Sequence, residues 1–286
     1  MDLLELIKVI IQGIVEGITE WLPISSTGHM LLLDEFMPMN MTQEFKDMFF
    51  VVIQFGAIFA VILIFWNQLW PFRVQKLKHS TGRTLTVERS IISMWGKVIV
   101  GFLPAAVLGL LFDDLITEYL YAPYIIAAML IIYGVGFIIV ETWNKKRTPL
   151  INSIDELTYK SAIIIGVFQA LAMIPGTSRS GATIIGALLI GISRKVAAEY
   201  TFFLAVPTML GASAFKILKY FLNEGFGFTS QELISLAVGM IVAFAVSVVV
   251  IKFLMSYIKK HDFKVFGWYR IALGILVLCL TPLLIN

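Results

Sequence analysis

Six stretches of this chain, at 46–66, 94–112, 122–140, 198–217, 233–254 and 266–284, are each long and apolar enough to cross a bilayer as a helix. Runs of this kind constrain the fold severely, because backbone inside hydrocarbon must satisfy its own polar groups and only helices or closed barrels do so. A barrel would read as ten-residue strands of alternating character, which this sequence does not show. Composition agrees: of 286 residues 59% are hydrophobic and 14% charged, with a mean hydropathy of +0.89. Pro207 is expected to interrupt the fourth span. The N-terminal run carries Glu5, Lys8, Gln12, Glu16 and Glu20 and no small-residue cleavage site, so it reads as a retained segment rather than a signal peptide. A lone cysteine, Cys279, excludes an internal disulfide and a thiolate metal cluster.

The net charge of +3 does not point to nucleic acid, because the basic residues fall in short loops between apolar runs, where they act as orientation signals. Loop 67–91 carries Arg73, Lys76, Lys78, Arg83 and Arg89 against Glu88 and should be cytoplasmic. The next loop holds Asp113, Asp114 and Glu118 with no base and should lie outside. Lys145, Lys146 and Arg147, and later Lys259, Lys260 and Lys264, mark returns to the cytoplasm. With these anchors the spans alternate only if residues 1–45 enter and leave from the outer face, and residues 155–195 from the inner face.

Both segments then read as re-entrant hairpins, broken at Pro23-Ile-Ser-Ser and at Pro175-Gly-Thr-Ser, where proline stops one helix and a hydroxyl residue caps the next. Gly13-Ile-Val-Glu16-Gly17 aligns with Gly166-Val-Phe-Gln169-Ala170, and the two proline breaks follow at nearly the same offset. Phe49-Phe50 before Gly56-Ala57 likewise parallels Phe202-Phe203 before Gly211-Ala212. The expected fold is therefore an all-α polytopic membrane protein, six transmembrane helices plus two re-entrant hairpins, with halves 1–150 and 151–286 related as an inverted-topology repeat. The alternative is that both hairpins are full spans.

Chemistry-bearing residues concentrate at the two breaks. Glu5, Lys8, Gln12, Glu16 and Glu20 share one helix face, either solvated in the headgroup region or, for Glu16 and Glu20, leading into the first break. Two carboxylates one turn apart repel, so at depth they need a shared proton, a basic partner or a divalent cation, and oxygen ligands suit Mg2+ or Ca2+. General acid–base chemistry uses the same pair. Ser25, Ser26 and Thr27 can cap the next helix, while one of them remains free to react. His29 follows Ser26 by three residues and is a candidate base or proton donor. At the second break Gly176, Thr177, Ser178 and Ser180 open a helix whose free N–H groups suit an anion, and Arg179 adds a planar fork for phosphate oxygens. Arg179 could pair with Glu16 or Glu20 as a buried bridge, a pairing that could alternate with phosphate binding, and Thr183 could be a packing residue. The residues together point to a membrane site for an anionic, phosphorylated group, without separating cleavage from transport.

The two motifs, Glu16 to His29 and Pro175 to Thr183, resemble the paired signatures of the undecaprenyl-diphosphate phosphatase family, the bacterial bacitracin-resistance phosphatases. The resemblance covers essentially the whole chain. It implies hydrolysis of undecaprenyl diphosphate to undecaprenyl phosphate and inorganic phosphate at the outer face of a bacterial inner membrane, recycling the carrier lipid for peptidoglycan. By position it implies that Arg179 clamps the diphosphate beside Ser178 and Ser180, that Ser26 is the nucleophile, that His29 or Glu20 manages its proton, and that Glu16 and Glu20 hold a divalent cation. No organic cofactor is implied. A transporter or flippase of a polyprenyl phosphate is the rival, since inverted repeats meeting at midplane also build transporters. A structural subunit of an envelope complex would leave Arg179 and the acid pair unexplained. Gly13-x-x-x-Gly17 could serve packing within the chain or in a homodimer.

Overall fold

A computed structural model describes residues 2–76 and 83–284. The chain begins with α1 (Leu3–Thr19), started by the Asp2 side chain accepting the Glu5 N–H at 2.7 Å, and α2 (Ser26–Phe36) follows after a break. Next come α3 (Gln43–Ile64), the short α4 (Trp66–Leu69), the antiparallel strands β1 (Phe72–Lys76) and β2 (Arg83–Val87), α5 (Arg89–Leu120) and α6 (Pro123–Asn144). After a loop, α7 (Tyr159–Leu171) and α8 (Arg179–Leu189) flank the second break, and α9 (Arg194–Glu224), α10 (Ser230–Tyr257) and α11 (Lys264–Leu284) complete the chain. Among the described residues, six helices are long and apolar enough to cross a membrane: α3, α5, α6, α9, α10 and α11.

The expected spans are therefore found, with corrections. Pro207 does not interrupt its span, because α9 continues through it as one helix. The acidic segment around Asp113 and Glu118 is not a loop but the end of α5, and Asp113 is not short of bases. Lys216 reaches its oxygens at 3.0 and 3.1 Å and Lys219 at 2.9 Å, both from α9. Charge counting along the chain misses such partners because they come from a helix 100 residues later. The basic loop 67–91 carries a β-hairpin, Phe72 opposite Val87, that the all-α expectation did not include. Lys78 of that loop lies outside the described residues.

Packing puts the polar segments inside. Helix α1 lies on α10, α7 on α5, α3 meets α9, and α6 runs along α11. Close approach explains the small residues: a Cβ at Gly13 would meet the Gly239 carbonyl at 2.9 Å, and Gly166 in the same way faces the Gly101 carbonyl. Gly13 and Gly17 are both turned to α10 within the chain. The core joins Trp21 and Ile24 of the first break to Ala182 and Ile184 of α8 and to Phe202 and Phe203 of α9. Trp21 meets Phe202 edge-on at 5.3 Å, and Phe65 meets Phe203 at 5.4 Å. Outward, Ile241 and Val249 are each 66% exposed, as suits side chains covered by lipid rather than water.

Candidate functional site

The two breaks meet in the interior. At each, the serine before the new helix has a positive φ, Ser25 at 74° and Ser178 at 70°, and among the described residues these are the only non-glycine residues in that region. Such backbone costs on the order of 1–3 kcal/mol and persists only where surroundings impose it. Ser25 Oγ accepts the Gly28 N–H at 3.4 Å, and Ser178 Oγ accepts the Gly181 N–H at 3.2 Å. These caps leave the next residues, Ser26 and Arg179, as the first of their helices. Gly176 has φ 88°, and a Cβ there would come within 2.8 Å of the Ile126 α-carbon, so only glycine fits.

Glu20 joins the breaks. Arg179 donates to its Oε1 from Nη2 at 3.1 Å and from Nε at 3.3 Å, and Ser26 donates to its Oε2 at 2.9 Å. The guanidinium is completed by Nη1 donating to the Thr201 carbonyl at 3.0 Å, and it stands over the Trp21 ring at 5.9 Å. Ser180 Oγ donates to the Glu20 carbonyl at 3.1 Å and lies 3.2 Å from Ser178 Oγ. The buried-bridge alternative for Arg179 is thus what the structure contains, with Glu20 as partner.

The other sequence-derived residues sit around this centre. Thr183 donates to the Arg179 carbonyl at 2.9 Å and accepts from Thr201 at 2.9 Å, so its hydroxyl anchors the start of α8. The Thr177 hydroxyl is buried without a partner among the described residues, and Thr27 is half-buried beside Ser26. Glu16, one turn before Glu20, is wholly buried, and among the described residues neither of its oxygens meets a hydrogen-bond donor. A carboxylate so placed is costly unless it holds a proton or faces a cation. Among the described residues no three His, Cys, Asp or Glu side chains converge as a metal cage.

His29 bonds away from Ser26 and Glu20. Its Nδ1 lies 2.7 Å from the Ser25 carbonyl and its Nε2 2.7 Å from the Tyr269 hydroxyl, so neither nitrogen is bonded to Ser26 or Glu20. A carbonyl only accepts, so Nδ1 carries a proton, and when the ring is neutral Nε2 accepts from Tyr269. Spacing along a helix shows which face a side chain shares but not the partner opposite. Arg270 lies in the run 266–284, whose composition reads as an apolar span; a charge inside such a span is the signal that marks it.

A cavity of about 420 Å³ extends from Arg179 between α3, α5, α7 and α9 to Asp113 and Lys216. Its walls are largely apolar, with Val51, Phe102, Ala106, Met173 and Phe215 among them.

Fold and site together define a polytopic membrane protein whose buried acid, arginine and hydroxyl groups converge at two helix breaks. Comparison with known proteins makes this specific. Residues 9–276 match the family described as bacitracin resistance protein BacA, and the chain belongs to that family. It is 62% identical over 283 residues to an undecaprenyl-diphosphatase of Enterococcus faecalis, covering 99% of each chain. It is 56% identical over 279 residues to an undecaprenyl-diphosphatase of Desulfitobacterium hafniense, covering 97% of this chain and 96% of that one.

Proposed function

We propose that this chain is an undecaprenyl-diphosphatase, removing the terminal phosphate of undecaprenyl diphosphate and so recycling the carrier lipid and conferring bacitracin resistance. The observation that carries the reading is Glu20, with Arg179 on one oxygen and Ser26 on the other. Exchange of Glu20 for diphosphate oxygens on Arg179 frees the carboxylate to act on Ser26. Ser26 Oγ attacks the terminal phosphorus, its proton passes to Glu20, and the bond to the bridging oxygen breaks. Glu20 then protonates that departing oxygen of undecaprenyl phosphate. Water cleaves the phosphoserine with Glu20 as base, and the proton returns to Ser26 Oγ. The free N–H groups at the starts of α2 and α8, with Ser178 and Ser180 beside them, offset phosphate charge.

Glu16 fits a divalent cation, since both its oxygens are unmet and Mg2+ commonly uses one or two carboxylates plus substrate phosphates. Glu16 and Glu20 would hold such an ion, which would supply charge neutralisation on the diphosphate. The apolar cavity suits the tail nearest the phosphates, and its far end at Asp113 and Lys216 is the outer end by the basic-loop rule. On this reading the protein sits in the bacterial inner membrane with its site open outward, which the basic residues of loop 67–91 support. Halves 1–150 and 151–286, each a re-entrant hairpin and three spans, account for several correspondences: Ser25 with Ser178, Gly13 on Gly239 with Gly166 on Gly101, and helices α3 and α9 meeting each other. A homodimer would use a surface other than Gly13 and Gly17, which pack within the chain.

Purified protein in detergent, given a polyprenyl diphosphate with and without chelator, tests the reaction. Phosphate release is the expected result. No release, with lipid movement in liposomes, would make the chain a transporter instead.

A further inference from the structure

Arg270, on α11, is wholly buried. Its Nη1 donates to the Pro23 carbonyl at 3.2 Å, and its Nη2 donates to the carbonyls of Gly176 and Thr177, each at 2.8 Å. One guanidinium therefore holds both helix breaks at once. Among the described residues no ion pair gives it a carboxylate and Nε has no partner; the Tyr133 ring lies 5.7 Å away. A cation buried in this way is costly, and carbonyls freed by a helix break at this depth are costly too, so each offsets the other. Room for it comes from Gly181, where a Cβ would stand 3.1 Å from Nη1.

The held carbonyls adjoin the two strained serines. Pro23 precedes Ser25 by two residues, and Thr177 immediately precedes Ser178, while Ser26 and Arg179 follow them. We infer that Arg270 is a positioning residue that sets the nucleophile-bearing break against the clamp-bearing break without touching substrate. This rests on the roles given above to Ser26 and Arg179. A misplacement of about 1 Å between reacting groups can cost on the order of a hundredfold in rate. Ser180 bonding to the Glu20 carbonyl is a second tie between the breaks, so the fold survives loss of Arg270 while the alignment does not.

The test uses full-length Arg270→Gln and Arg270→Lys in detergent, with steady-state phosphate release and amide hydrogen exchange of the segments holding Gly28 and Gly181. For Arg270→Gln, kcat falls about a hundredfold with KM within about threefold, and exchange quickens at both breaks but not in α3 or α10. Arg270→Lys, whose ammonium lacks the fork, gives an intermediate kcat. Unchanged exchange, loosening at one break only, a rise in KM alone, or intact kcat overturns the inference. If Arg270→Gln does not accumulate, the same outcomes are read on Arg270→Lys; loss of both from the membrane makes Arg270 a general folding residue and also overturns it. Exchange is read without substrate. Loosening at both breaks therefore supports the positioning role even if the unmutated chain releases no phosphate, a result that would remove the assigned reaction instead.

Discussion

The two oxygens of Glu20 face different partners, Arg179 on Oε1 and Ser26 on Oε2, so one carboxylate links the proposed anion clamp to the proposed nucleophile. Arg179→Ala removes the fork and leaves Glu20 without its cation; phosphate release should fall at least about a hundredfold, as for loss of a strong charge-stabilising group. Arg179→Lys keeps the charge without the planar fork and should recover only part of it. Ser26→Ala should abolish turnover and any phosphate trapped on the enzyme in a rapid acid quench. Substantial residual turnover in that variant would transfer the attack to water guided by Glu20. Tyr269→Phe removes only the donor to His29 Nε2, so a loss of less than about tenfold is expected, far milder than Ser26→Ala. A Tyr269→Phe enzyme as dead as Ser26→Ala would put the tyrosine in the chemistry.

At the scale of elements, the site depends on helices that approach closely enough to hold the broken segments in place. A Cβ at Gly17 would stand 2.8 Å from Val246 Cβ and 2.9 Å from the Ala243 carbonyl. Gly17→Val should therefore push α1 from α10 at a cost of about 1–3 kcal/mol, seen as a lower midpoint of thermal unfolding in detergent. Retained stability would mean that α1 can shift at no cost. At the opposite end Glu141 is buried and accepts from Arg194 Nη2 at 2.5 Å and from the Phe263 N–H at 3.0 Å, tying the ends of α6, α9 and α11 together. Short broken helices have few backbone bonds of their own to resist tilting, so their direction comes from these long neighbours.

For the whole molecule, the charge of the connecting segments decides which end faces which compartment. In a Cys279→Ser background, Glu118→Cys at the end of α5 should react with a membrane-impermeant maleimide added to intact cells, whereas Lys146→Cys should react only after permeabilisation. The reverse pattern would invert the orientation and place the cavity mouth at Asp113 and Lys216 on the cytoplasmic side. Either way the cavity and the breaks lie on one connected route, because Arg179 belongs to both.

The sequence by itself determined the six spans, the places where the two polar segments break, and the residues gathered there, since hydrophobic length, proline and capping hydroxyls act locally. Glu20, Ser26, Ser178, Arg179 and Ser180 were legible as candidates because such groups inside apolar sequence demand a partner. Only the tertiary structure decided who the partners are. It gave Glu20 rather than His29 to Ser26, turned His29 to Tyr269, supplied Asp113 with bases from α9, kept α9 whole through Pro207, and set Arg270 across both breaks. Each of those outcomes depends on helices far apart in the chain meeting in three dimensions, and neither spacing nor composition encodes which faces meet.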